Sequence, residues 1–317
     1  MFSSNMTQKP GFIIKAAFAL LLLLLLSLVV FKFHDIKDTA AYLLGDIKSQ
    51  DPVTGDTMLH KAVKTGNTIG VETLIRRGAD INAKNNKRES PIHLAAAANN
   101  LNLVKFLLSE NANINAENDK GRTALHIAAE NDFRDMMRVL IRNQAFIDEK
   151  DHFGITPLHL TAQKNLVKAA GTLLELGADP KTQEYVNGNT PMHQAVLAGS
   201  DDVLEVLLNA GGDINFKNDE GRTILMTAAE TGNISAMAVI LKHQPAIEKK
   251  DHYGQTALHY AVMSGNTEAV KILIENGADI MAADKGGNTP ISRAKAEGRT
   301  EIVKILENLA SKTKSAP

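Results

Sequence analysis

The chain has no cysteine and no tryptophan among its 317 residues, and aromatic residues make up only 4% of it. The missing cysteines exclude disulfides, thiol catalysis and thiolate metal sites, and are compatible with either an oxidising or a reducing compartment. Scarce rings suit a fold that buries a continuous strip of Leu, Ile and Ala rather than a bulky globular core. An excess of charge is missing too. The formal net charge is −1, with acidic and basic residues mixed along the chain, so no basic face for nucleic acid is present. Also absent are G-x-S-x-G, G-x-x-x-x-G-K-[ST] and H-E-x-x-H, and with them the usual nucleophile, phosphate cradle and zinc helix. The chain is expected to be no enzyme and to need no cofactor.

What is present is a period. Thr57, Ser90, Thr123, Thr156, Thr190, Thr223, Thr256 and Thr289 follow one another at spacings of 33, 33, 33, 34, 33, 33 and 33 residues. The same phrase surrounds each hydroxyl, as in Ser90-Pro91-Ile92-His93-Leu94-Ala95, Thr123-Ala124-Leu125-His126-Ile127-Ala128 and Thr256-Ala257-Leu258-His259-Tyr260-Ala261. A glycine stands two residues before most of them (Gly55, Gly121, Gly154, Gly188, Gly221, Gly254, Gly287), where a tight turn needs positive φ. The hydroxyl caps a first helix, and Pro91, Pro157, Pro191 and Pro290 occupy its first position, where a missing N–H costs little. Pairs such as Leu107/Leu108, Leu140/Ile141 and Leu207/Leu208 lie on the seam of a second helix, which ends at Gly78, Gly177, Gly211 or Gly277 in the left-handed cap.

This phrase and period resemble the ankyrin repeat with its T-P-L-H-x-A signature. The resemblance covers about residues 51–310 and implies an all-α solenoid of eight helix-turn-helix units joined by β-hairpin loops. It also implies a protein partner held on a concave face made by the hairpin tips and first helices. The eighth unit replaces the histidine by Ser292 and carries Glu307 where its siblings have Ile or Leu, which suits a polar outer cap.

The amino terminus is of another composition. After a polar segment, 1–15, residues Ala16 to Phe31 are unbroken by charge and include seven consecutive leucines, Leu20 to Leu26. Sixteen helical residues rise about 24 Å, short of a hydrocarbon core of about 30 Å, but Phe12-Ile13-Ile14 and Phe33 extend the stretch if Lys15 and Lys32 snorkel. Residues 16–33 are therefore expected to be a hydrophobic helix that spans a membrane or serves as a signal anchor, making a single-pass membrane protein. A cleaved signal peptide and a secreted chain stay open as the alternative; the nearest small-x-small triplet, Thr39-Ala40-Ala41, lies behind charges. The lysine balance leans toward a cytoplasmic N-terminus, with the repeats on the non-cytoplasmic side. Residues 34–50, with Ile36, Ala40, Leu43, Leu44 and Ile47 at helical spacing, are expected to form a juxtamembrane capping helix, and 311–317 a disordered tail. Sequons Asn5-Met6-Thr7 and Asn233-Ile234-Ser235 flank the apolar stretch.

A second period lies near 100 residues. Asn118-Asp119-Lys120-Gly121-Arg122 matches Asn218-Asp219-Glu220-Gly221-Arg222, and Lys150-Asp151-His152-Phe153-Gly154 matches Lys250-Asp251-His252-Tyr253-Gly254. Both copies carry Gln (Gln144, Gln244) where a helix-ending glycine is usual, so a three-repeat block is duplicated. The extra residue of the 34-residue spacing falls between the copies and predicts an altered tip near Tyr185-Val186-Asn187-Gly188.

Six of the ten histidines share one repeat position: His60, His93, His126, His159, His193 and His259. Stacked helices sit about 8–10 Å apart, too far for neighbouring imidazoles to share an ion at about 2 Å. Each is therefore expected to hydrogen-bond Thr or backbone within its hairpin. The candidate partner-binding residues are those at the tips, His152, Phe153, Ile155, His252, Tyr253 and Gln255, with Tyr260, Arg122 and Arg222 beside them, since aromatics next to Arg are common interface anchors. Exposed pairs such as Gln163-Lys164 and Glu230-Thr231 extend the surface along the first helices. The chain is expected to act as a monomeric, membrane-tethered scaffold on a protein partner; a secreted or translocated effector, or the regulatory subunit of an enzyme, stays open as the alternative.

Overall fold

The computed structural model describes residues 45–314. Segments 1–15, 16–33 and 34–44, and residues 315–317, lie outside the described residues, and with them the hydrophobic helix expected at 16–33 and the first sequon. The chain divides into two compact units, residues 1–94 and 95–317. In the first, α1 (Met58–Lys64) packs on α2 (Thr68–Arg76); α3 (Pro91–Ala97) crosses the division.

The second unit continues with α4 (Leu101–Ser109), α5 (Ala124–Glu130), α6 (Arg134–Arg142), α7 (Pro157–Gln163), α8 (Val167–Glu175), α9 (Pro191–Ala198) and α10 (Asp201–Asn209). It ends with α11 (Ile224–Thr231), α12 (Ile234–Lys242), α13 (Ala257–Ser264), α14 (Thr267–Glu275), α15 (Pro290–Ala296) and α16 (Thr300–Lys314). From α5 to α15 each odd-numbered helix packs on the next odd one, and from α4 to α16 each even-numbered helix on the next even one, giving two layers of a solenoid. Ala128, Ala162, Ala195, Ala228 and Ala261 are buried where the inner helices meet, and Leu140, Leu173, Leu207, Ile240 and Leu273 fill the outer seam. Each such Leu or Ile contributes about 1.5–3 kcal/mol by leaving water.

Local chemistry sets the helix ends. Backbone Thr156 N–H donates to His159 Nδ1 at 3.3 Å, and Thr156 Oγ1 accepts from His159 N at 3.4 Å, closing a capping box. Gly177, Gly211 and Gly277 end outer helices at φ +98°, +86° and +91°; Gln144 and Gln244 take the same left-handed role at +70° and +53°. In the eighth unit Ser292 replaces the imidazole, accepting from Thr289 N at 2.9 Å, and Glu307 is exposed and paired with Lys295 at 2.8 Å.

Several expectations are corrected. Among the described residues the loops hold no β-strand, only an isolated bridge between Gln50 and Thr57; the reverse turns are too short and too sharply bent for a ladder. Residues 45–50 make a turn and that bridge instead of the end of a capping helix. Helix α16 runs to Lys314, past the boundary expected at 310. The single-pass membrane localisation is also overturned: among the described residues no helix is long and apolar enough to cross a membrane. Asn233 of the second sequon is engaged as a helix cap, its Oδ1 accepting from Ala236 N at 3.0 Å and its Nδ2 donating to Val196 O at 3.3 Å.

Candidate functional site

The tips of the second unit are built around one side-chain acceptor per repeat. Oδ1 of Asn118, Asp151, Asn218, Asp251 and Asp284 accepts the backbone N–H groups two and four residues on, at 2.7–3.1 Å. At the tip with the extra residue the acceptor is Glu184, whose longer side chain reaches the N–H groups of Val186, Asn187 and Asn189 at 2.6, 2.8 and 3.1 Å. One methylene thus matches one added residue. Tips are stitched by single bonds: His152 N to Lys120 O (3.0 Å), Tyr185 N to Phe153 O (2.9 Å), Asp219 N to Asn187 O (2.9 Å), His252 N to Glu220 O (3.3 Å) and Lys285 N to Tyr253 O (2.9 Å). Glycine is demanded twice at Gly154: φ is +81°, and a Cβ there would lie 2.5 Å from Tyr185 N.

The structure brings some of the expected residues to the surface and withdraws others. His152, Phe153, His252 and Tyr253 are exposed at the tips, with Phe153 59% and Tyr253 66% accessible. The two imidazoles lie against Gly121 and Gly221 of the preceding tips. Ile155 is half-buried. Gln255 is buried, its Nε2 3.7 Å from Met263 Sδ, and so is not a free tip residue. Tyr260 is corrected as well: its ring is 1% exposed, filling the inner layer where the earlier copy has Leu160, and its hydroxyl donates to Asp251 Oδ2 at 2.6 Å. Burial and that bond push the Tyr260 phenol pKa upward, so it stays protonated.

Both arginines are half-buried in ion pairs. Arg122 Nη1 reaches Glu130 at 2.9 Å and its Nε reaches Asp151 at 3.2 Å, while Lys164 binds the other oxygen of Glu130 at 2.8 Å. Arg222 Nη1 reaches Glu230 at 2.7 Å and its Nε reaches Glu220 at 3.0 Å, with the guanidinium 4.9 Å from the Tyr260 ring centre. They hold the tip to the first helix and leave part of each guanidinium accessible.

Seven exposed apolar residues were not among the sequence candidates: Val53, Ile69, Phe146, Tyr185, Val186, Leu197 and Met281. For Tyr185 and Val186 the signal was the added residue at that tip and, for Leu197, a large apolar residue where three sibling helices have Glu130, Gln163 and Glu230.

The shared histidines are structural. Since Nδ1 receives a backbone N–H, the proton sits on Nε2, which donates to the carbonyl of the next repeat: His126 to Ile155 O (3.0 Å), His159 to Asn189 O, His193 to Arg222 O and His259 to Asn288 O (3.1 Å each). The bond therefore links neighbouring repeats, where the sequence suggested one confined to a single hairpin. Burial drives the pKa of His126, His159 and His193 down to about 4. Among the described residues no group of three or more His, Asp or Glu is placed to hold a metal ion.

This two-layer stack of capped helix pairs coincides with a known sequence profile. The profile described as "Ankyrin repeats (3 copies)" matches residues 26–118, 92–184, 147–218, 192–284 and 248–315. The chain belongs to the ankyrin-repeat family. Its structure is similar to that of the ankyrin repeat domain of Bcl-3, titled a unique member of the IkappaB protein family, with a TM-score of 0.63 and 25% identity over 68% of this chain and 98% of that one. Sequence relatives match over shorter stretches. A putative palmitoyltransferase ZDHHC13 of Danio rerio is 38% identical over 58 residues, 18% of this chain and 9% of that protein. The ankyrin repeat-containing protein P1E11.10 of Schizosaccharomyces pombe is 42% identical over 52 residues, 16% of this chain and 25% of that protein. The chain thus spans at most a quarter of these relatives' length. Ankyrin repeats generally bind protein partners.

Proposed function

We propose that the protein is a non-catalytic recognition module whose second ankyrin unit holds a protein partner along the tips and inner helices between Arg122 and Tyr253. The observation that carries this reading is where large apolar side chains meet solvent: of the six described residues of this kind in the second unit that are more than half exposed, four, Phe153, Tyr185, Val186 and Tyr253, stand on tips, and Phe146 and Met281 stand on the turns after outer helices. Rigid, stitched turns present them without the ordering cost that a loose loop adds to binding. Four of the shared histidines, His126, His159, His193 and His259, support the same reading, being buried with both ring nitrogens occupied. The test is to identify the partner by affinity capture and measure its binding to the chain carrying Phe153→Ala and Tyr253→Ala. Binding is expected to weaken by about 2 kcal/mol or more with the unfolding midpoint unchanged. Unchanged affinity would show that these tips are not the contact surface.

A further inference from the structure

We infer that the fourth to sixth tips take a partner segment in which a basic side chain stands beside a large apolar one. This rests on the recognition role proposed above and specifies the chemistry of the partner. Phe153 and Tyr185 stand on adjacent tips joined by the Tyr185 N to Phe153 O bond, and Val186 follows directly. On the inner layer Leu197, 48% exposed, stands where the neighbouring repeats have Gln163 and Glu230 and lines a cleft of about 220 Å³. Asn187, which follows Val186, also lines the cleft, and Lys150 Nζ lies 4.8 Å from the Tyr185 ring centre; exposed apolar side chains next to such a cleft are the arrangement that receives an anchor residue.

The charged residues lining the cleft, Glu220, Arg222 and Glu230, decide the sign of the partner's charge. Arg222 lies 3.0 Å from Glu220 Oε2 and 2.7 Å from Glu230 Oε2, one cation between two exposed carboxylates. Asp219 is exposed on the same tip and lies against Gly188 of the preceding one, so this tip and its helix carry three carboxylates to one guanidinium. A partner carboxylate or phosphate would meet net repulsion here, whereas a Lys or Arg would meet acceptors already arranged. An apolar neighbour of that cation would fall on Leu197 or on Phe153, Tyr185 and Val186. The second copy of the block lacks this combination, because the tip after Tyr253 carries Lys285 and Gly286.

The experiment is selection of a display library of random linear peptides on the full-length chain. Peptides pairing Arg or Lys with Leu, Phe or Tyr should be enriched, and a synthetic representative should lose about tenfold or more in affinity against the combined variant Asp219→Asn, Glu220→Gln, Glu230→Gln. These exposed, isosteric changes keep a hydrogen-bond acceptor for Arg222, and circular dichroism melting should confirm an unchanged fold. Added salt should weaken the same peptide on the unaltered chain, and Tyr185→Ser with Val186→Ser should weaken it too. If the enriched peptides are acidic, or ignore the neutralised carboxylates while still needing Phe153 and Tyr253, the partner chemistry is overturned and the recognition role stands. If no peptide is enriched, or binding ignores both sets of changes, both are overturned.

Discussion

Tyr260 donates a 2.6 Å hydrogen bond to Asp251 Oδ2, and it takes the place that Arg122 occupies on Asp151 one hundred residues earlier, where Nε lies 3.2 Å from Oδ2. The two copies of the duplicated block have thus satisfied one buried carboxylate in two ways. With Leu160 the arginine reaches in; with Tyr260 the ring fills the space and Arg222 moves to its face. Tyr260→Phe removes the donor and leaves a buried acceptor oxygen, which should cost about 1–3 kcal/mol by urea unfolding. A midpoint equal to that of the parent would mean that the bond contributes nothing.

Gly154 and Gly177 separate two demands on glycine. Both have positive φ, +81° and +98°, but a Cβ at Gly154 would meet backbone at 2.5 Å while one at Gly177 would meet nothing within 4 Å. Gly177→Ala should cost about 1–2 kcal/mol of backbone strain, and Gly154→Ala clearly more, since the neighbouring tip must shift. Equal losses in the two variants would contradict this division.

The buried histidines set a pH dependence. Folded, His126, His159 and His193 resist protonation down to about pH 4, whereas the ordinary imidazole value is 6.5. The unfolded chain binds more protons across that interval, so stability is full above about 6.5 and is lost as pH falls toward 4, at about 1.4 kcal/mol per pH unit for each imidazole in mid-window. Urea midpoints measured from pH 7 to 5 should fall, and His193→Met, which copies Met226 of the sixth repeat, should reduce the slope. A flat profile would refute the assignment.

Seam and tip should respond oppositely. Leu140→Ala and Leu207→Ala empty fully buried sites and should cost about 2–5 kcal/mol. Phe153→Ala and Tyr253→Ala should each stay within about 0.5 kcal/mol of the parent. Tip variants that unfold with the seam variants would show the tips to be part of the core.

Much of this architecture was legible because its causes are local. A threonine hydroxyl, a proline after it and a glycine before it each meet a need within a few residues, and the seam leucines follow the helix period. The site was less so. The exposure of Phe153 and Tyr253 is legible because the repeat leaves their positions open, but the burial of Tyr260 is not: an aromatic four residues after the cap can face inward or outward, and only the depth of the neighbouring Asp251 decides. Gln255 is buried while Ile155, its counterpart, is half-exposed. The insertion was visible, yet the compensating Glu184 was not, since its role depends on three N–H groups converging on one carboxylate. Long-range partners were hidden for the same reason, as with the imidazole bonds to carbonyls 29 or 30 residues away.

Met226 occupies the histidine position of the sixth repeat, with its sulfur 3.4 Å from Thr223 N. A thioether carries no proton, so the joint between the sixth and seventh repeats has no buried imidazole bonded across it and rests chiefly on the packing of α11 with α13. Acid would loosen the second unit joint by joint and spare this one. The last piece to dissolve would be a two-repeat remnant, and the bead that resists is the one whose clasp was never ionisable.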